Sequence, residues 1–150
     1  MLRKWFSIRP YVVGVYRFRV ELDGMLVAGF SEVSGLTAVT ELQEVPEGGL
    51  NQYVHRLPVR TKLEPIVLKR GMTLTNELWN WYADVREGRI VRKSGAIILY
   101  NEYDLEFRRW NFYDAYPTKW SGPELNASSS DIAVEAIELT HNGFKVASWF

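Results

Sequence analysis

The sequence predicts one mainly β domain over residues 1–150, an antiparallel sandwich or barrel of about eight strands with a single α-helix. Three observations predict it. A chain of 150 residues is long enough to bury one core. Short runs of alternating apolar and polar residues recur between Gly, Pro, Asn and Asp turn signals, which is typical of antiparallel strands. Only residues 75–87 show the spacing of an amphipathic helix.

The first elements are the clearest. Residues 12–22 alternate between two faces and predict a strand with one wet face. The apolar face carries Tyr16, Phe18, Val20 and Leu22, and the polar face carries Arg17, Arg19 and Glu21. Asp23-Gly24 predicts a hairpin turn into a returning strand at 25–30. The turn signal Ser34-Gly35 precedes a third predicted strand at 37–45.

The middle of the chain holds one ambiguous segment and the helix. Pro46, Gly48 and Gly49 end the third strand, and 50–64 is compatible with an extended arm or a loose hairpin at an edge. Residues 65–71 predict a compact buried strand. The helix at 75–87 places Leu78, Trp81, Tyr82 and Val85 on one face, and Gly88 ends it.

The second half returns to strands. We expect strands at 89–93, 96–100 and 105–116, with turns at Ser94-Gly95 and at 101–104. The stretch AYPTKWSGPELNA, 115–127, predicts a stiff loop, because its two prolines fix φ and remove backbone donors. Such a loop holds Trp120 in one place, either as an inter-subunit anchor or as the end of its own core. Residues 128–146 predict a last strand and a short tail.

Charge is balanced overall but unevenly distributed. The formal net charge is zero, which argues against a dedicated nucleic-acid binder. Residues 1–20 carry five Lys or Arg and no acid, residues 21–50 carry six acids and no Lys or Arg, and residues 51–70 carry five bases and one acid. Two interpretations remain open: cross-strand pairing within the domain, and complementary patches through which copies of the chain meet.

Composition excludes several classes of function. The chain has no cysteine, so disulfides and thiolate chemistry are excluded, and folding in a reducing cytosol is compatible with this. No apolar run reaches the roughly 18 residues that span a membrane. Arg9, Pro10 and Arg17 interrupt any signal-peptide core, so we expect synthesis in the cytoplasm without a conventional secretion signal.

Motifs for catalysis are missing from the sequence. His55 and His141 are far apart in sequence and belong to no paired ligand motif, so we expect no metal. No serine sits in a nucleophile elbow, the SEVSG and KSG segments are interpreted as turns, and no glycine run forms a phosphate loop. EFRRWNFY, 106–113, interleaves basic and aromatic residues, yet a strand with one core face explains it. We therefore predict no catalytic residue, no cofactor and no enzymatic activity.

Several phrases, taken in order, resemble a known family. They are FRVELDG (18–24), AGFSEVSGL (28–36), EVPEGGLN (44–51), PIVLKRGMT (65–73), ELWNWYADVREG (77–88), RWNFYDAYPTKWSGPELNA (109–127) and IAVEAIELTHNG (132–143). Together they resemble the tail tube proteins of contractile phages and of phage-tail-like contractile injection systems. The resemblance covers about residues 16–143.

The resemblance implies a fold shared with the tube component of type VI secretion. It also implies six-membered rings whose strands complete an inner barrel, and stacking of these rings into a tube inside a contractile sheath. Baseplate or tube-initiator proteins, the sheath protein, and cargo DNA or effector protein in the lumen are then the expected partners. The chain would be part of a phage virion or a phage-tail-like particle.

Site residues follow as hypotheses from the same resemblance. The family's long arm corresponds to about 43–63, and residues 1–15 form an additional N-terminal extension. Glu44 and Glu47 of one copy are expected to meet cations of another copy, and those cations are Arg56, Arg60 or Lys62. In the family one polar strand face lines the channel. The candidates for this lumen-facing position are Arg17, Arg19 and Glu21. The alternative is that these three residues lie on an outer face toward the sheath.

Two other functions remain as alternatives. An initiator ring next to the baseplate of the same machine would share the family's phrases. A small carbohydrate- or peptide-binding sandwich would use the abundant aromatic residues, which make up 14% of the chain. A self-polymerisation assay distinguishes the initiator ring from a tube subunit, because the initiator forms discrete rings and the tube subunit forms long tubes. A stable monomer that binds a saturable ligand would identify the binding sandwich.

Overall fold

A computed structural model describes residues 12–15, 17–23, 25, 29–46 and 54–147. It confirms a mainly β fold with antiparallel sheets and a single described helix, α1 (Glu77–Arg86). The described strands are β1 (Arg17–Leu22), β2 (Phe30–Ser34), β3 (Ala38–Pro46), β4 (Val54–Leu63), β5 (Ile66–Gly71), β6 (Lys93–Tyr100), β7 (Glu106–Ser121), β8 (Val134–Thr140) and β9 (Phe144–Ala147).

Strand β7 joins two half-sheets. Its first part pairs with β6 and β9, and β1 pairs with the other edge of β6, which gives the first half-sheet β1-β6-β7-β9. Its last part pairs with β8, which continues through β5 to β2 and gives the second half-sheet β7-β8-β5-β2. Asp114 lies between the two parts with a φ of 53°. This left-handed residue marks the irregularity at which β7 passes from one half-sheet to the other.

The two half-sheets enclose one core that α1 closes. The first contributes Val20, Leu22, Ile97 and Phe112, the second contributes Ile66, Leu68, Ile137 and Leu139, and the helix contributes Leu78 and Trp81. The period-two burial of β1, with Val20 and Leu22 inward and Arg19 and Glu21 outward, is the predicted one. The fold class predicted from alternation and helical spacing is therefore correct.

The predicted turn at Ser94-Gly95 is wrong, because β6 runs through both residues. A Cβ on Gly95 would lie 2.1 Å from the carbonyl oxygen of Glu21 and 2.7 Å from the ring of Phe112. Glycine is needed here for a close approach between strands, not for a turn. The strand predicted at 89–93 is also wrong, since residues 89–92 are outside the strands and β6 begins at Lys93.

The predicted loop at 115–127 is wrong in its first half. Residues up to Ser121 belong to β7, so Trp120 lies in a strand opposite Ile137. Proline has no backbone N–H to donate to a neighbouring strand. Pro117 is tolerated in β7 because the register with β8 shifts between Pro117 and Lys119, so the ladder needs no donor from it there. The predicted tail at the end of the chain is likewise a strand, β9, which pairs with β7.

The predicted hairpin after β1 is reduced to one bridge between Leu22 and Met25. Gly24 and residues 26–28 lie outside the described residues. The following strand, β2, begins at Phe30, includes the first four residues of the predicted SEVSG turn but not Gly35, and pairs with β5 instead of β1. Its partly buried Phe30 and Val33 pack against the core, and this packing favours a strand over a turn. Among the described residues the strands number nine, one more than expected.

Candidate assembly surfaces

Strands β3 and β4 form a two-stranded hairpin, called the arm from here on. They pair only with each other, from Ala38 opposite Leu63 to Pro46 opposite Val54. Residues 54–63 of the ambiguous segment therefore form one extended strand, whose partner is the predicted third strand. Five aliphatic side chains along it are 39% to 57% exposed, namely Val39, Leu42, Val45, Leu57 and Val59. Two-stranded hairpins are marginal in water on their own, so the arm needs an additional surface to cover it.

Register divides the arm into two faces. The first face carries Val39, Glu41, Val45, Leu57, Arg60 and Lys62, and the second face carries Thr40, Leu42, Glu44, Arg56 and Pro58. Each face combines aliphatic side chains with one cross-strand ion pair. Arg56 Nε lies 3.6 Å from Glu44 Oε1 on the second face, and Arg60 Nε donates to Glu41 Oε2 on the first.

These contacts bear on the predicted stacking residues. Within one copy the structure brings Glu44 to Arg56 and gives Arg60 to Glu41, whereas Lys62 has no ion pair with any described residue. Glu47 lies outside the described residues. The cross-strand interpretation of the uneven charge therefore holds in the arm. The contact of Glu44 and Glu47 with another copy stays a prediction.

The base of the arm is fixed to the body by a buried histidine. Gly143 N donates to His141 Nδ1 at 3.0 Å, and His141 Nε2 lies 3.0 Å from the carbonyl oxygen of Glu64. Because Nδ1 accepts, Nε2 carries the proton and donates to Glu64. The ring ties the chain just after β4 to the turn between β8 and β9. His141 is thus a structural residue in the interior rather than a surface one.

The outer face of the first half-sheet is polar, and the predicted lumen residues lie on it. Arg17 lies 2.7 Å from Asp104 and over the ring of Tyr100, and Arg19 lies 3.9 Å from Glu21. Arg109 on β7 bonds Glu106 at 2.8 Å and approaches Glu21 at 3.5 Å. The hydrogen bond that Arg109 donates to the Glu106 carboxylate raises the pKa of Arg109.

A shallow concavity of about 320 Å³ lies on this outer face. Glu21, Asp23, Arg109 and Asn111 line it, beside the strand residues Ser94 and Gly95. Its charged side chains are two acids and one cation, and Arg109 pairs with Glu21. The concavity is therefore polar, with one acid in excess among its lining residues.

A buried ion network, which the sequence analysis missed, joins the second half-sheet to the helix. Arg70 Nε donates to Glu135 Oε1 at 2.7 Å, and both residues are no more than 3% exposed. Arg70 Nη2 also donates to Glu77 Oε2 at 3.1 Å, at the start of α1. The signal was present in the alternation: Arg70 follows Ile66 and Leu68 on the inward face of β5, and Glu135 precedes Ile137 and Leu139 on that of β8.

Trp120 belongs to the edge of this network. Its Nε1 donates to Glu135 Oε2 at 3.2 Å, and its ring meets that of Trp79 edge-on, with the centroids 4.9 Å apart. Arg86 lies over the ring of Trp79, with its Cζ 5.5 Å from the ring centroid. Trp120 is half-buried and packs against the core of its own chain. A second role as an inter-subunit anchor stays a prediction.

Two other kinds of feature are absent from the described residues. No three or more histidine, aspartate or glutamate side chains converge there as a metal site would require. The described part of the chain also contains no helix with the length and apolar character needed to cross a bilayer.

Comparison with known proteins gives a family and several similar folds. The sequence pattern of the family described as T4-like virus tail tube protein gp19 matches residues 15–145. A search of curated proteins returned no significant match.

Solved structures similar to this fold come from contractile machines. A chain of the PVC sheath/tube terminator, from an extracellular contractile injection system in the extended state, is 27% identical with a TM-score of 0.83, over 93% of this chain and 99% of that one. A chain of the PVC sheath-tube complex is 27% identical with a TM-score of 0.82, over 92% and 93%. Hcp1 from Flavobacterium johnsoniae, at 15% identity, 85% and 94% coverage and a TM-score of 0.51, shares the fold alone.

Proposed function

The chain belongs to the family of T4-like virus tail tube proteins, and from that premise we propose that it forms stacked hexameric rings, the inner tube of a contractile tail or injection particle. In this role its lumen conducts DNA or effector protein, and its work is mechanical rather than catalytic. Family membership supports the tube role. The observation that carries the assembly is the arm.

The arm supports assembly because it is built for contacts that its own chain does not supply. Its strands are nine and ten residues long, yet their aliphatic side chains remain about half exposed. A monomeric protein rarely maintains such an element in water. Neighbouring copies of the chain can cover it, and the domain organisation then follows: one tube domain, an arm, and the segment before β1 as an extension.

Open strand edges supply the ring contact in this proposal. The outer edges of β1 and β9 in the first half-sheet, and of β2 in the second, have no partner strand among the described residues. Exposed edges promote aggregation unless another strand pairs with them. Six copies in a closed ring satisfy the edges through a heterologous interface, in which two different patches of each copy meet.

Ion pairs supply the contact between copies around the arm. Glu44, Glu47, Arg56, Arg60 and Lys62 are the proposed contributors. Since Glu44 already pairs with Arg56 inside one copy, Lys62 and Glu47 are the more useful for a partner. Each exposed pair contributes about 0–1 kcal/mol, but the contact repeats around every ring.

The proposed lumen wall is the polar outer face of the first half-sheet, with Arg17, Arg19 and Glu21 on its edge strand. Its support is the mutual pairing of these charges, which leaves little net field to hold a passing cargo. Labelling Arg19→Cys in assembled tubes tests it, since the chain has no other cysteine. Slow reaction with a probe too large for the lumen, and fast reaction with a small one, is the expected result. Equal rates place this face outside.

The expected partners are other copies of the chain, a contractile sheath protein and the baseplate or tube-initiator proteins. Similar chains occur in sheath-tube and sheath/tube terminator structures of an injection system, which supports these partners. Synthesis in the cytoplasm and incorporation into a phage or phage-tail-like particle belong to the same proposal.

A specialised ring at one end of the tube is the second candidate. Similarity to a chain in a sheath/tube terminator structure favours it as strongly as the sheath-tube complex favours the tube subunit. An initiator ring next to the baseplate would have the same fold. Assembly distinguishes the two roles, because an end ring stops after one layer.

Electron microscopy of the purified protein tests the proposal. We expect hollow tubes of six-membered rings whose length increases with protein concentration. Discrete rings at every concentration would indicate an end ring, and a monomer at every concentration would reject both roles. Reversal of charge in Glu47→Lys at low salt is expected to shorten the tubes, whereas tubes of normal yield and length would remove Glu47 from the contact.

A further inference from the structure

The turn between β8 and β9 contains the dipeptide Asn142-Gly143, which occurs once in the chain. An asparagine followed by glycine is prone to cyclise, because glycine has no side chain to obstruct attack of its backbone nitrogen on the amide carbon of the asparagine. Every other asparagine of the chain is followed by a larger residue. Asn142 is exposed and Gly143 is half-buried, so water can reach the pair.

The backbone nitrogen of Gly143 is bonded to a base. In most turns such an N–H donates to a carbonyl oxygen, which does not take up the proton. Here Gly143 N donates to His141 Nδ1 at 3.0 Å, so an imidazole nitrogen faces the proton that must leave before the backbone nitrogen attacks. On the other side of the ring, Nε2 lies 3.0 Å from the carbonyl oxygen of Glu64 and donates to it. That second bond fixes the tautomer in which Nδ1 is free to accept a proton.

Three further hydrogen bonds hold the pair against β7. Asn142 N donates to the carbonyl oxygen of Tyr113 at 2.9 Å, and Tyr113 N donates to the carbonyl oxygen of Gly143 at 3.0 Å. The side-chain amide of Asn142 donates through Nδ2 to Asp114 Oδ2 at 3.3 Å. Since Gly143 N is bonded directly to the carbonyl carbon of Asn142, its attack on Cγ closes a five-membered ring within a turn that is already held in place.

We propose that Asn142-Gly143 is a self-modification site at which His141 acts as the base. The nitrogen of Gly143 forms a bond to Cγ of Asn142 while its proton passes to His141 Nδ1. The bond from Cγ to Nδ2 breaks, and the leaving nitrogen takes up that proton and departs as ammonia. The product is a five-membered succinimide, which water opens to aspartate or isoaspartate. Water is the only co-reactant, and no atom changes its oxidation state.

Both products alter the turn where the arm joins the body. Either one places a carboxylate where the amide donates to Asp114, so a hydrogen bond becomes a contact between like charges. Isoaspartate also inserts one additional backbone carbon before Gly143, which moves its N–H away from His141. The histidine ring then loses one of the two contacts that position it against Glu64, at the base of the arm. Modified protein should therefore have a looser arm base.

Incubation of the purified protein at neutral pH, followed by peptide mass spectrometry, tests the reaction. We expect Asn142 to convert to aspartate and isoaspartate, with a transient species that has lost ammonia. Asn126 is the internal control, because it is exposed like Asn142 but is followed by Ala127, and it should remain asparagine over the same period. Asn142 that persists as long as Asn126 would overturn the proposal. Since the measurement needs no assembly, its outcome is independent of the tube role.

His141→Gln tests the base. Glutamine retains an acceptor for Gly143 N but takes up no proton at neutral pH. Conversion of Asn142 should slow by about tenfold or more, since a positioned base in an enzyme typically contributes about a hundredfold or more. Unchanged or faster conversion in a folded variant would remove His141 from the reaction.

Wild-type protein in denaturing urea provides a second test of the base that does not depend on the folding of a variant. Urea removes the contact between His141 and Gly143 but leaves the sequence intact, so conversion of Asn142 should be slower in urea than in the native protein at the same pH. Faster conversion in urea would mean that the fold protects the pair, which would overturn the role of His141.

Hydrogen exchange tests the consequence for the arm base. The Gly143 amide and the amides next to Glu64 should exchange faster in aged wild-type protein than in fresh protein. Asn142→Gln is the matched control, because a glutamine amide would have to close a larger ring, and its exchange should not change with age. Unchanged exchange in fully converted wild-type protein would show that the products do not loosen the arm base.

Discussion

The body of this molecule and its arm are built on opposite principles. The body has a continuous core from both half-sheets and the helix, with the ion pair of Arg70 and Glu135 at no more than 3% exposure. The described arm residues include none that is fully buried, and two exposed ion pairs cross the hairpin. The body contains its own core, whereas in the proposed assembly the arm is covered by a surface from another copy. Variants of the body should therefore change the stability of the monomer, and variants of the arm should change the assembly of tubes.

The largest effect is expected from breaking the buried network of the body. Arg70→Leu leaves the Glu135 carboxylate buried without its cation, which costs about 3–5 kcal/mol in free energy of unfolding. Chemical denaturation of the monomer measures it. The double variant Arg70→Leu with Glu135→Leu is the control, and it should recover most of the loss. Equal stabilities of the single variant and wild type would mean that the network does not hold the body.

Trp120→Ala is expected to act next, by about 3 kcal/mol, at the lower end of the range for aromatic truncation because the side chain is only half-buried. The variant removes the ring contact with Trp79 and the bond to Glu135. Denaturation of the monomer detects the loss. Trp120→Phe, which retains an aromatic ring, should lose less.

The same variant also tests the anchor hypothesis. Normal monomer stability combined with lost assembly would assign Trp120 to an inter-subunit contact instead of its own core.

Arm variants should give the reverse pattern. Leu42→Ser with Leu57→Ser removes one aliphatic side chain from each face, and exposed positions of this kind change unfolding of the monomer by about 0.5 kcal/mol or less. Loss of tubes in electron micrographs is expected at unchanged monomer stability. Thr40→Ser, on the same hairpin but without aliphatic loss, is the control. A large drop in monomer stability would show that the arm is part of the body's folding unit.

The smallest effect concerns pH at the start of the helix. Thr75 Oγ1 donates to Glu77 Oε2 at 2.6 Å. This hydrogen bond is the largest cause of the lowered pKa of Glu77, which lies below the usual 4.5. The backbone hydrogen bond of Glu77 and the contact with Arg70 lower the pKa by less. A lowered pKa adds stability above about pH 4.5, and this stability is lost as the pH falls through the folded-state value. Thr75→Val should be less stable than wild type at pH 7, by an amount that shrinks toward pH 3. A difference independent of pH would assign the effect to packing.

The sequence predicted the fold where one physical signal dominated. Alternation placed Val20 and Leu22 inward and Arg19 outward in β1, and helical spacing located α1 within two residues of each end. The prediction was wrong where a residue is required by a contact with residues far away in the sequence. Gly95 signals a turn locally, but it is required by the approach of Glu21 and Phe112, which no local pattern reveals.

The candidate site was less accessible from sequence than the fold. The composition of the arm indicated an exposed, charged edge, but only the strand register sorts its side chains into two faces. Arg70 and Glu135 lie 65 positions apart, and inward parity alone does not reveal that they meet.

Hydrogen exchange of the arm tests the central claim most directly. The measurement compares wild-type monomer, below the concentration at which tubes form, with assembled tubes. We expect the amides that pair β3 with β4 to exchange rapidly in the monomer and slowly in tubes, while those of β7 are protected in both. Arm amides that are as slow as those of β7 in the monomer would contradict the account.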